Sequence, residues 1–186
     1  PGAGASGGLV GALAPHVPEA WNDKKALQFE SLVTAERFWR DVAEASGQNP
    51  GYARLGRLQP LADARAVDLA RARVATAQDL WQGRFYWSVE RAERYSRLVE
   101  SPTGLVVRDT LTARLHPRRA LAALVTALEG RGGSVVTEPR GVDADAVVHA
   151  TGVAGLLELN GRAVDRVVGA GVKGQAAALS CDLREM

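Results

Sequence analysis

The spacing of apolar residues predicts three helices. Between Lys24 and Ser46, Leu32, Ala35, Trp39 and Val42 recur at steps of 3, 4 and 3, and Phe38 and Ala43 widen the stripe. Asn22 or Asp23 supplies the N-cap, and Gly47 stops the helix before the Asn49-Pro50-Gly51 loop. Phe38 and Trp39 are expected in the core. Asp63 caps a second helix in which Val67, Ala70, Val74, Ala77 and Trp81 share one face, while Arg65, Asp68, Arg71 and Asp79 face water. His116-Pro117 opens a third, because proline is pre-organised for the first helical position. Its expected buried stripe is Leu121, Leu124, Val125 and Leu128, ended by Gly130 to Gly133.

Between these helices the pattern changes to extended chain. Arg54 to Leu61, interrupted by Gly56 and Pro60, suits a strand near a sheet edge. Phe85 to Val99 fits either a short strand with a loop or another helical segment. From Leu105 the chain reads as extended, and Leu111, Ala113 and Leu115 alternate with polar residues. Ser134 to Thr137 and Ala146 to Ala150 are short apolar runs bounded by turn residues, as buried parallel strands are. A helix set between such runs predicts α/β layering.

Composition narrows the class without naming a function. The 186 residues are 46% hydrophobic and 24% charged, ordinary for a soluble globular protein. The 23 Lys+Arg nearly balance the 21 Asp+Glu, and no arginine-rich run interleaves with aromatics, so composition argues for no nucleic-acid partner. A single cysteine, Cys181, excludes an intramolecular disulfide and fits a reducing compartment, hence a cytoplasmic expectation. His16, His116 and His149 lie too far apart to form a recognisable metal-ligand motif. No apolar run approaches the length of a membrane span.

The first sixteen residues are the chemically distinctive stretch. Gly2, Gly4, Gly7, Gly8 and Gly11 stand with Ser6 among small apolar residues. Such a loop lets a flat or phosphorylated ligand approach the backbone, and successive N–H groups in it form an anion-binding concavity. Gly2 to Gly7 match G-x-G-x-x-G, yet only Pro1 precedes them where a dinucleotide fingerprint needs a hydrophobic strand. The stretch is a ligand-facing loop or a glycine-rich terminus. Thr151-Gly152 follows an apolar run and is either a close approach to a ligand or an ordinary tight turn. His16 is open to a structural or a catalytic role, whereas His149 is expected as a hydrogen-bonded core histidine. No Ser-His-Asp arrangement, paired carboxylate or P-loop is visible.

Four segments in order resemble the FAD-dependent glycine oxidase and D-amino-acid oxidase family. Gly4-Ala-Ser-Gly-Gly-Leu-Val-Gly-Ala-Leu-Ala-Pro-His16 resembles the loop that runs past the ribityl chain and flavin ring. Leu115 to Leu121, Asp145 to Gly152 and Gly171-Val-Lys-Gly-Gln175 resemble a helix start, a strand with its turn, and a further strand. The resemblance implies an α/β (α+β) fold: part of an FAD-binding, Rossmann-like parallel sheet beside a mixed or antiparallel substrate-domain sheet. Residues 1–47 and 115–152 would belong to the former, 48–114 and 153–186 to the latter. It implies FAD contacts at Ala5, Ser6, Val10, Gly11, Ala12, Leu13, Thr151 and Gly152, with Ser6 and Gly11 facing the cofactor, and a place for His16 near the substrate cavity. Gly11→Val is expected to weaken FAD binding more than folding. The implied reaction oxidises a small-molecule amine or amino acid, with hydride passing from Cα to flavin and dioxygen reoxidising the flavin. Two alternatives are the flavin domain that matures a modified uridine in tRNA and a non-catalytic remnant of the fold. The chain departs from the family's adenine-binding hairpin, with eight residues between Val136 and Asp145. The family's first strand, its glycine fingerprint and its last strands would lie outside these residues. An internal piece of this kind is expected to hold no tight FAD and to pair its exposed sheet edges with a second copy.

Overall fold

The computed structural model describes residues 2, 4–95, 98–137, 143–162, 167–172 and 174–177. After a short 3-10 turn at Ala5–Gly7, the elements run β1 (Gly11–Leu13), α1 (Asp23–Ser46), β2 (Arg57–Pro60), α2 (Ala64–Leu80) and β3 (Trp87–Arg91). A second 3-10 turn, Ala92–Tyr95, precedes β4 (Leu105–Asp109), β5 (Ala113–Leu115), α3 (Pro117–Glu129) and α4 (Gly152–Arg162). The mixed α/β class expected from the sequence is observed, and the described strands form two antiparallel sheets, β1-β5 and β2-β4-β3.

Local chemistry sets the helix ends. Asn22 Oδ1 accepts the Lys25 N–H at 3.1 Å to start α1, and Gly47 ends it in the left-handed conformation. Asp63 Oδ1 accepts from the Ala66 N–H at 2.8 Å to start α2. His116 is itself the N-cap of α3, its Nδ1 accepting from the Arg119 N–H. The segment Phe85 to Val99 resolves into both alternatives, a strand and then a helical turn. The edge assignment of the Arg54 to Leu61 segment also holds, with β2 outermost and Pro60 at its end, where a missing N–H does least harm.

The core lies between α1, α2 and the three-stranded sheet. Phe29 and Leu32 meet Leu61, Val67, Ala70, Ala77, Trp81, Trp87, Val107 and Leu111. The Trp81 and Trp87 rings meet edge to face at 6.1 Å, and the Trp87 indole N–H donates to Ala70 O at 3.1 Å. Such pairs add about 0.5–1.5 kcal/mol beyond the area they bury. Gly56 closes the seam between β2 and the turn after β4. It has φ +77°, and an added Cβ would stand 2.4 Å from Asp109 O.

Several expectations are corrected. Phe38 is 50% exposed and Trp39 half-buried, so neither is core; together they form an edge-to-face pair at 5.1 Å on the open side of α1. Val74 is likewise exposed. In α3 the buried residues are Ala120, Ala123 and Ala127, whereas Leu124 and Leu128 face outward. Alanines let α3 approach α1 closely, and apolar bulk in the sequence pointed to the adjoining face, where Leu121 and Val125 are half-buried. Ser134 to Thr137 and Ala146 to Ala150 are irregular and exposed, with Val148 87% exposed, so they are not buried strands. A parallel strand draws its hydrogen bonds and both its apolar faces from neighbours, and no described strand flanks either run. His149 shares that exposure and is not a core histidine. The described residues around the Gly171 to Gln175 segment form no strand, and Val172 is almost fully exposed.

Candidate functional site

β1 is a short strand with a groove on each side. It pairs with β5 in the register Gly11↔Leu115, Ala12↔Arg114 and Leu13↔Ala113. A cavity of about 450 Å³ lies between Ala12–Ala14 and α1, walled by Gln28, Ser31, Thr34, Phe38 and Trp39 among others. A second, of about 570 Å³, lies where Leu9 to Ala12 meet Leu55, Gly56 and Arg57 and the Thr112 to His116 segment. The second groove has apolar walls, three basic residues (Arg57, Arg114 and His116), and no carboxylate in its lining.

Its polar residues are fixed from behind. Asp109 is fully buried on β4; its Oδ2 accepts from Arg57 Nε at 3.0 Å and its Oδ1 from the Thr112 N–H at 2.8 Å. Antiparallel register sets Arg57 directly opposite Asp109, so their facing side chains are a product of strand pairing. Arg114 donates to Gly51 O at 3.3 Å. The Thr112 hydroxyl is buried and has no hydrogen-bond partner among the described residues.

The expected site residues separate into four places: the grooves beside β1, the 3-10 turn, His16 and the Thr151 hollow. Val10, Gly11 and Ala12 line the second groove, and Ala12 and Leu13 line the first. Ala5 and Ser6 lie in the 3-10 turn, outside both linings. The turn is held to α3 where Arg118 Nε donates to Gly7 O at 2.8 Å. Two amides of that turn are already used within it, Gly7 N–H on Gly4 O at 3.0 Å and Gly8 N–H on Ala5 O at 3.1 Å. Neither is free for an anion. His16 is exposed, and its N–H donates to Gln28 Oε1 at 2.8 Å. Thr151 lines a separate hollow of about 320 Å³ with His149, Glu158 and Arg162, and Gly152 begins α4 with φ +62°. Arg57, Thr112 and Arg114 were not foreseen, and the strand register that gathers them leaves no local signal in the sequence.

The fold itself gives Gly11 a reason to be glycine. A Cβ there would stand 2.4 Å from Leu115 O, 3.0 Å from Leu115 C and 3.1 Å from Pro117 Cγ. The glycine permits close pairing of β1 with β5, so Gly11→Val strikes the fold before it reaches any ligand in the groove.

A flavin poses two demands, a slot for its ring and donors for its phosphates. The second groove falls within the usual range of about 300–1,000 Å³ for ligand pockets and is mainly apolar, so its residues fit a ring-sized body. The glycine turn, with two amides already used, offers a pyrophosphate little. Among the described residues no group of three or more His, Cys, Asp or Glu is placed to hold a metal, and no helix is long and apolar enough to cross a membrane.

Comparison with known families decides the class. The DAO family model, described as FAD dependent oxidoreductase, matches residues 1–185. The chain belongs to that family. Among solved structures it is similar to glycine oxidase from Geobacillus kaustophilus, with a TM-score of 0.55 and 17% identity over 71% of this chain and 36% of that one. It is also similar to an L-amino acid deaminase from Proteus vulgaris lacking its specific insertion sequence, with a TM-score of 0.51 and 15% identity over 70% and 33% of the two chains. At these identities the likeness shows the fold. The chain spans about a third of the length of these structures. No curated protein matches the sequence.

Proposed function

We propose that this chain forms one wall of the flavin and substrate site in an FAD-dependent oxidoreductase that oxidises an amino acid or secondary amine at its Cα–N bond. The observation that carries this is the groove beside β1, where Val10, Gly11 and Ala12 of the flavin-loop resemblance meet the 112–116 segment in a chain of the DAO family. FAD, when bound, supplies the hydride acceptor and its reoxidation by dioxygen. The chain's own residues supply the surroundings. Leu9, Val10 and Leu55 give an apolar wall that excludes water from a ring lying against it, and Arg57, paired with buried Asp109, and Arg114 give that wall hydrogen-bond donors. In this reading residues 1–47 and 115–152 lie on the flavin side, and 48–114 and 153–186 on the substrate side.

Since Val10 to Ala12 would line one side of the cofactor's groove without enclosing it, the 186 residues alone are expected to bind FAD weakly and to turn over no substrate. The test is visible absorbance after FAD addition, made on this chain and on a longer polypeptide carrying it, followed by peroxide release with a panel of amino acids and N-methylated amino acids. Flavin absorbance with peroxide from one substrate class is the expected outcome for the longer polypeptide. No flavin bound, and none acquired on adding FAD, refutes the reading in favour of a non-catalytic member of the fold.

A further inference from the structure

The two edges of the three-stranded sheet are not equivalent. β4 lies between β2 and β3, and in an antiparallel ladder each strand turns alternate residues toward its partner and the intervening ones outward. On β2 the phase is set by the Leu61 N–H, which donates to Leu105 O at 3.2 Å. Arg57 and Gln59 therefore bond inward, and Leu58 and Pro60 face out. Proline has no N–H, so this edge offers a single donor. On β3 the phase is set by the Thr110 N–H on Tyr86 O at 3.0 Å and the Ala92 N–H on Gly104 O at 2.8 Å. Ser88 and Glu90 bond to β4, and Trp87, Val89 and Arg91 turn their N–H and C=O groups outward. No described residue hydrogen-bonds to any of those groups.

An open row of this kind is a template for another strand, and this one is complementary to itself. Laid antiparallel against a copy about a two-fold axis through Val89, it sets Val89 opposite its own counterpart, Trp87 opposite Arg91, and Ser88 opposite Glu90. Every outward group is then paired, each copy donating three N–H groups and accepting at three C=O groups. The charges agree. Glu90 meets a hydroxyl and Arg91 an aromatic position, whereas a parallel pairing in register would oppose Glu90 to Glu90 and Arg91 to Arg91. An axis through Arg91 would likewise oppose two guanidinium groups. We propose that two copies of this chain associate through β3, with Val89 on the two-fold axis, and join their three-stranded sheets into one continuous antiparallel sheet. β3 lines neither groove beside β1, so the inference stands independently of any ligand there.

Sedimentation equilibrium is expected to show a reversible monomer–dimer system half-assembled at roughly tens of micromolar, the strength to which about six net backbone hydrogen bonds convert. The Trp87, Val89 and Arg91 amides are expected to exchange about ten-fold more slowly when about nine-tenths of the chain is dimeric. Ser88 and Glu90, already bonded to β4, keep their rates. Arg91→Pro removes an outward N–H at an exposed position and leaves the β3–β4 ladder intact, so it is expected to melt near the parent and to weaken the dimer at least about ten-fold. Cross-linking carries the test if that variant does not fold. In a Cys181→Ser background, Val89→Cys is expected to form a disulfide with its own counterpart on oxidation. Ser88→Cys is not, because its counterpart lies on the diagonal, about 7–8 Å away and beyond disulfide reach. A chain that stays monomeric well above that concentration, exchange that slows equally at all five positions, or cross-linking of Ser88→Cys in preference to Val89→Cys each overturn the proposal. So does protection of the three outward amides at every concentration in a longer polypeptide carrying this chain, since another of its segments then holds the edge.

Discussion

Gly11→Ala and Gly11→Val distinguish a glycine demanded by the fold from one demanded by a ligand. The Cβ of either variant begins 2.4 Å from Leu115 O, and that oxygen belongs to the residue paired with Gly11 across the two strands. Carbon contacts settle near 3.5–4.0 Å, so β1 has to move outward by roughly 1 Å. A displacement of that size lengthens the β1–β5 hydrogen bonds beyond useful range. Overpacking of this kind costs about 1–3 kcal/mol. For a chain of this length each kcal/mol lowers the melting temperature by about 2–4 °C, so Gly11→Val is expected to melt about 2–12 °C lower. Because β1 has only three residues, the damage is also expected as local opening, read by faster amide exchange at Gly11 to Leu13 and Ala113 to Leu115. Gly4→Ala is the control: an added Cβ there meets nothing within 4 Å, and its expected effect is within about 0.5 kcal/mol. If Gly11→Val melted with the parent and kept its exchange protection, the strand-pairing account would be wrong.

Three further outcomes follow from the packing and the charges. Asp109→Ala leaves the part-exposed Arg57 and the buried Thr112 N–H without their shared partner and is expected to cost about 1–3 kcal/mol in urea unfolding; a loss below about 0.5 kcal/mol would mean the pair is solvated. Ala123→Leu overfills the α1–α3 contact and is expected to cost about 1–3 kcal/mol, whereas Leu124→Gln at the more exposed neighbouring position changes little, and equal effects would restore the leucine stripe as the buried face. The Ser88 hydroxyl donates to Glu90 at 2.7 Å, and Tyr95 and Arg94 also donate to it, so its carboxyl titrates below the usual range. A depressed folded pKa gives stability that is present above the unfolded value near 4.3 and lost as pH falls through the folded one. Glu90→Gln is therefore expected to flatten that acid limb in denaturation measured from pH 7 to pH 3, and an unchanged limb would refute the assignment.

What the sequence disclosed was whatever is decided within a few residues. Asn22, Asp63 and His116 start helices through contacts three or four positions away, and Pro117 through its fixed φ, so their signals are local and α1, α2 and α3 begin where expected. The failures share the opposite character. Whether Ala146 to Ala150 forms a strand depends on neighbours that the run itself does not encode. Which face of α3 is buried depends on how near α1 comes, and alanine at 120, 123 and 127 permits an approach that leucine at 124 and 128 does not.

The groove divides along the same line. Its glycine side, Val10 to Ala12, was legible because a close backbone approach requires small residues, and small residues are conspicuous in a sequence. Its charged side was not legible, because Arg57 and Asp109 stand 52 positions apart and meet only through the register of β2 on β4. A slip of one residue in that register would turn Arg57 to the other face of the sheet and leave a buried carboxylate unpaired. The pairing that aims Arg57 into the groove is thus the same pairing that keeps Asp109 tolerable in the interior. Fold stability and the polarity of the groove therefore rest on one contact.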